Sequence, residues 1–420
     1  MNSERESLTR AIGTVGLAAG IINVMIGGGI FRAPALVAGR LGAAAPLAYV
    51  ICAIAMALIV TCIAAAGKRV ILTGGPYAYV GTALGPYAGF LSGVMLWMIG
   101  VFATAAVSSV MAASIAELLG WSGRVAHAGI LSVAFGFWTS INIRGVTYGV
   151  RLNTAITIAK LLPLLLLAAA GAFFIRGDNL QVASWPPAGD FARMSLILVF
   201  AFAGIEVALI PSGEVRDPER TVPKAIALAM IGVTFLYIAL QLVAQGILGP
   251  ALAQSEVPLA DAAGASLGAW ARSLLLAGAA ISMFGHLGGM TLSIPRIVYA
   301  LARDGFLPRA LAGIHPVYRS PQLAIITQSI LTLALAITST FEQLAVIANV
   351  AALALYLGCA AAAWKLGQPP IVPLLAGGVI AWLLTGLELR EWIAFGAAIA
   401  AASLIYVVRQ TAVKVSVADS

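Results

Sequence analysis

Charge is what this sequence has least of. Asp, Glu, Lys and Arg make up 10% of its 420 residues, against roughly 25% in a soluble domain. That shortage excludes an ordinary water-soluble fold. Histidine is also scarce: three scattered copies, with no HExxH or comparable cluster, supply neither metal ligands nor a nucleophile–base pair. An enzyme is therefore not expected, nor a bound metal or cofactor. The three cysteines, Cys52, Cys62 and Cys359, all fall inside apolar runs, which suits small packing residues and says nothing of redox compartment. Long polar segments are missing too. The longest connections, about 175–192, 250–270 and 302–320, are too short for separate domains.

Apolar length is what the chain has instead. It is 61% hydrophobic, with runs long enough to span a bilayer at about 11–39, 43–66, 84–118, 125–142, 150–174, 193–213, 223–249, 271–301, 321–340, 343–364, 370–387 and 391–408. The expected fold is an all-α polytopic membrane protein of twelve transmembrane helices, with the lipid bilayer as its surroundings. The first run is too long for a removed signal peptide and lacks the small-residue cleavage site. With a cytoplasmic N-terminus, the inner side carries 16 Lys and Arg and the outer side 7, with Lys160 alone inside a span. That asymmetry predicts both termini in the cytoplasm. The net charge of +8 is then mostly a topology signal, and no soluble basic domain exists to bind nucleic acid. Length and the lack of targeting signals suit a bacterial inner membrane; nothing in the sequence signals an oligomeric state.

Two runs are broken by glycine about half a chain apart, at IGGGIF (26–31) and FAFAGIE (200–206). A backbone group left unpaired in hydrocarbon costs several kcal/mol, so something polar has to repay such breaks. Gly27, Gly28 and Gly29 permit unwound backbone, and the half-helix ends then present N–H and C=O groups near mid-membrane. Close helix packing is the competing reading of either motif alone. Paired breaks at corresponding places in two halves point to the substrate site of a secondary transporter. Breaks on spans one and six make spans one to five and six to ten equivalent. Five is odd, so the second half enters from the opposite side, an inverted repeat. The expected units are 1–175, 176–366, and 367–420 with two additional helices and a tail.

These residues resemble a known family. IGGGIF is similar to the first-helix signature of the amino acid–polyamine–organocation superfamily of transporters, and 200–226 to its sixth-helix signature and following loop. RIVYALARDGFLPRAL (296–311) and RSPQLAI (319–325) resemble the region after its eighth helix. The resemblance implies the five-plus-five inverted-repeat fold with broken helices one and six. It also implies a free α-amino acid as substrate, its carboxylate held by backbone N–H groups of Ile26, Gly27, Gly28, Gly29 and Ile30. The amino group would be held by carbonyls of Phe200, Ala201, Phe202 and Gly204, with Phe200 aligned to an aromatic that closes over substrate. Two departures leave side-chain preference open: Gly28 where relatives often carry a hydroxyl, and Ile205 where an aromatic is frequent.

Charges inside spans are costly enough to need a reason. Glu206 matches a family acid and either titrates or ties down the broken backbone. Lys160 lies nine residues into span five, about 14 Å deep at 1.5 Å per residue. It resembles the fifth-helix lysine that, in sodium-independent members, stands where sodium-coupled proteins of this fold hold a cation between helices one and eight. Coupling by Lys160 then takes two forms, proton symport if it titrates and exchange if its charge is permanent. His286, among glycines, reads better as a helix–helix contact than as a proton carrier. In the loop after span six, Pro218 and Pro223 are expected to prevent a continuous helix, with Thr221 capping one that begins near Pro223. Its charges read as a solvated turn or as an inner gate partnered by Arg303 and Asp304. A polyamine or amine transporter and a transporter-like sensor are the remaining alternatives; no filter-like repeat supports a channel.

Overall fold

The computed structural model of the protein describes residues 13–69, 76–144, 150–204, 217–318 and 320–418, without the side chains of 23–24, 68, 76, 78, 150–160, 218–219 and 410–418. Ile205 and Glu206 lie outside the described residues, as does the Lys160 side chain. All regular structure among the described residues is helical. The helices are α1 (Thr14–Met25), α2 (Gly28–Leu41), α3 (Ala45–Arg69), α4 (Pro76–Leu84), α5 (Pro86–Leu119), α6 (Arg124–Ile143), α7 (Val150–Gly171) and α8 (Ala188–Phe202). Then come α9 (Pro218–Leu248), α10 (Pro258–Leu267), α11 (Ala269–Arg303), α12 (Gln322–Thr338), α13 (Phe341–Lys365), α14 (Ile371–Leu384) and α15 (Leu389–Ala418).

Among the described residues, seven helical stretches are long and apolar enough to cross a membrane. One of them, Gly28–Gly67, joins α2 and α3 through a bend at Gly42, whose φ is 51°. This is a multi-pass membrane protein. The broken spans fall short piece by piece: α1 and α2 have 12 and 14 residues, about 18 and 21 Å at 1.5 Å per residue against a core near 30 Å.

Two helix pairs echo each other across the chain. A 9-residue helix, α4, meets the 34-residue α5 at Gly85, and a 10-residue helix, α10, meets the 35-residue α11 at Gly268. Both junction glycines have nearly the same backbone, φ 98° and ψ 175° against φ 94° and ψ 176°. Only glycine adopts that region freely. The local sequences match as GTALGPY and GASLGAW.

The central helix α5 packs against α11, α13, α12 and α6, while α1, α2, α3, α8 and α9 pack among themselves. One apolar core runs through both groups. At one rim a polar chain fastens them. Arg32 of α2 donates to the Ser255 carbonyl (2.6 Å), the Ser255 hydroxyl to Asp261 (2.5 Å), and Arg272 pairs with Asp261 (3.2 Å) and Glu117 (2.5 Å).

Three local expectations change. Helix α8 starts at Ala188, five residues before the apolar run, behind Pro187 and with Asp190 in its first turn, where a carboxylate suits the helix dipole. The segment 250–270 is not a plain loop, since it carries a 3-10 turn and α10. Pro218 and Pro223 do not separate two helices and Thr221 is not a cap: α9 begins at Pro218 behind Asp217 and runs through Pro223. Proline at the first helical position loses no bond, because that N–H is unpaired anyway.

Candidate functional site

The first break is a single tight turn. Ile26 has φ −75° and ψ 78°, and the Gly27 N–H donates to the Met25 carbonyl at 2.8 Å, the geometry of an inverse γ-turn. The Ile26 N–H still donates back to Ile22 at 3.0 Å. Helix α2 then starts at Gly28, so Gly28, Gly29 and Ile30 head it, and no side chain caps that end. It is an N-terminus with a partial positive charge, placed in the core: Gly28, Gly29 and Ile30 are all buried.

The second break begins where α8 ends. Phe200, Ala201 and Phe202 form its last turn, Ala203 is extended at ψ 165°, and Gly204 has φ 109°. The two breaks lie against each other. A Cβ on Gly29 would stand 2.9 Å from the Ala201 Cα and 3.1 Å from the Phe200 ring, so only glycine lets α2 and α8 approach this closely. A Cβ on Gly28 would meet the Val107 backbone of α5 at 3.2 Å and the Met283 sulfur of α11 at 3.3 Å.

One side chain joins the carbonyl ends of both broken helices. The Tyr237 hydroxyl of α9, fully buried, lies 3.0 Å from the Met25 carbonyl and 3.0 Å from the Ala201 carbonyl. Two helix C-termini carrying like partial charge are thus held together by a single O–H. Phe202 packs edge-on against the Tyr237 ring at 5.3 Å and Tyr49 at 6.5 Å. One and two turns along α9, Gln241 accepts from the Tyr49 hydroxyl at 3.0 Å and donates to Gln245 at 3.5 Å. Sequence reasoning missed this row. Its signal was available: Tyr237, Gln241 and Gln245 repeat at i, i+4 and i+8 within an apolar run.

Phe200 packs edge-on against Phe341 at 5.4 Å. Phe341 opens α13, whose start is fixed by the capping box of Thr340 and Gln343. Asn349 of the same helix donates to the Leu196 carbonyl at 2.7 Å. On either side of His286, Trp138 donates to the Phe284 carbonyl (2.9 Å) and Asn142 to that of Gly288 (3.2 Å), so α6 and α11 are joined where the helix contact is expected. Arg303 pairs with its own neighbour Asp304 at 3.1 Å.

With the breaks assembled in this way, the chain matches the family model described as amino acid permease over residues 12–367. The chain belongs to the amino acid permease family. Permeases are transporters and not enzymes, and membership places this one in the amino acid–polyamine–organocation superfamily. It is 30% identical to the serine/threonine exchanger SteT of Bacillus subtilis over 82% of this chain and 80% of that protein. The methylthioribose transporter of the same organism is 26% identical over 96% and 94% of the two chains. Its branched-chain amino acid permease BcaP is 25% identical over 84% and 80%.

Proposed function

We propose that this permease carries a free α-amino acid with a neutral side chain across the membrane by alternating access, without sodium. The observation that carries the reading is the meeting of an uncapped helix N-terminus at Gly28–Ile30 with the carbonyl end of α8 at Phe200–Phe202, in contact through Gly29 and Ala201. A carboxylate and an ammonium a few ångströms apart match those opposite partial charges. The side chains nearest Gly28 and Gly29, namely Val107, Met283, Ala201 and Phe200, are apolar, which favours a neutral cargo. The proposed architecture has twelve spans in an inner membrane, both termini cytoplasmic, with repeats at 1–175 and 176–366. The matching junctions at Gly85 and Gly268, on the third and eighth spans, support the repeat.

Coupling is assigned to Lys160, with Glu206 beside the second break. As a titrating group Lys160 gives proton symport, and as a permanent charge it gives exchange. The similarity to a serine/threonine exchanger favours the second form. The test is uptake into proteoliposomes with sodium replaced by choline, with and without an inward proton gradient and with and without internal amino acid. Uptake is expected in choline. A strict sodium requirement overturns the assignment, and a demand for internal substrate selects exchange. A competing cargo without charged ends is suggested by the methylthioribose relative. A melting-temperature screen of the purified protein separates the two, because only a ligand of the folded state raises the transition.

A further inference from the structure

Helix α15 lies outside both proposed repeats and is hardly packed: 6% of its membrane-length window is buried. A few residues near its middle, including Phe395 and Ile399, touch a small apolar cluster on α5 and α13. Its two ends are built differently. At the first, Glu391 makes a two-pronged pair with Arg193 of α8, at 2.6 and 3.0 Å, and the same guanidinium reaches Glu342 of α13 at 3.1 Å. The Arg193 and Glu391 side chains are 11% and 13% exposed. Gly386 permits this approach, since a Cβ there would stand 2.8 Å from the Arg193 backbone nitrogen. At the other end, Tyr406 stacks on Phe306, in the loop after α11, at 5.9 Å and 11°, and the Arg409 guanidinium lies 4.2 Å from the Phe306 ring centre. Tyr406 also meets Tyr87 and Phe90 at the start of α5.

We propose that α15 is a strut fixed at its foot to the inner ends of α5 and α11, and that the Arg193–Glu391–Glu342 clasp at its head holds the outer half of α8 shut and releases it when the outer side opens. The proposal rests on the transporter reading for its sidedness. Arg193 sits seven residues, two turns, before Phe200 on the same helix. The Phe200–Phe341 contact and the Arg193–Glu342 pair therefore join the same two elements, and α8 cannot swing outward without parting both. Charge suits a contact that must reopen. A permanent joint is made as well or better by apolar side chains, whereas separated charges at a membrane edge are rehydrated.

The test needs no substrate. In a variant whose buried Cys52, Cys62 and Cys359 are replaced by alanine, Val107→Cys reports access to the first break from outside, read as the rate of labelling by a membrane-impermeant maleimide on intact cells. Arg193→Gln and Glu391→Gln are each expected to raise that rate at least threefold, and the Arg193→Glu, Glu391→Arg exchange to return it toward the parent. Arg409→Gln, at the foot, is expected to raise it in the same direction. Unchanged labelling in the near-isosteric Glu391→Gln, with protein present at parental level, overturns the clasp. A rise at the head with none from Arg409→Gln overturns the strut. If no amino acid is taken up at all, the proposed function fails while the labelling result still stands.

Discussion

At the scale of single residues, the site is set by what glycine omits and what one tyrosine supplies. Gly29→Ala drives a methyl group into the Ala201 backbone, which cannot yield as a side-chain tip can. The expected cost is about 1–3 kcal/mol in stability, seen as a lower melting temperature, with transport abolished. Gly28→Ala meets a flexible Met283 sulfur as well as backbone, so it is expected to be the milder of the two. Tyr237→Phe keeps the ring packing and removes the hydroxyl that lies between the two buried carbonyls. Transport is expected to fall tenfold or more, with a stability loss of about 1–3 kcal/mol, measured by uptake and thermal unfolding of the same preparation. The glycines were legible in the sequence because unpaired backbone in lipid needs a reason. Tyr237 was not, because a tyrosine in an apolar run resembles any buried aromatic until its partners are known.

Whole elements carry the second layer of legibility. The apolar runs located the helices because hydrocarbon leaves the backbone no partner but itself. The entry of α8 was misplaced because its first two turns carry the charges Asp190 and Arg193, each paired with a residue of another element. The matching Gly85 and Gly268 junctions stood in the sequence as G-x-x-L-G followed by an aromatic two residues on. Seven residues are too few to be noticed before their shared backbone is seen. Gly268→Ala is expected to lower stability by about 1–3 kcal/mol, whereas Gly136→Ala, in mid-helix with open space around it, is expected to be neutral or slightly stabilising. Circular dichroism melts of the two variants in detergent make the comparison.

For the molecule as a whole, the proposed sidedness is testable without function. Single cysteines at Asp178 and Asp217, in the cysteine-free background, are expected to react from opposite faces. Reaction of both from outside removes the span count and the inverted repeat together. Lys160→Ala is expected to cripple net uptake more than substrate binding, read from uptake beside a binding isotherm on one preparation; equal loss of both would make Lys160 a plain structural cation.

The Tyr237 hydrogen is shared between the Met25 carbonyl, which also accepts from the Gly27 N–H, and the Ala201 carbonyl in the last turn of α8. A ligand group that brings hydrogens to this carbonyl end meets partial negative charge, and one that brings only lone pairs is repelled by it. On the proposed function, this end distinguishes the direction of a zwitterion before the side chain is reached. Successive N-methylation of a substrate, which preserves the positive charge while removing its hydrogens, is expected to weaken binding step by step and not all at once.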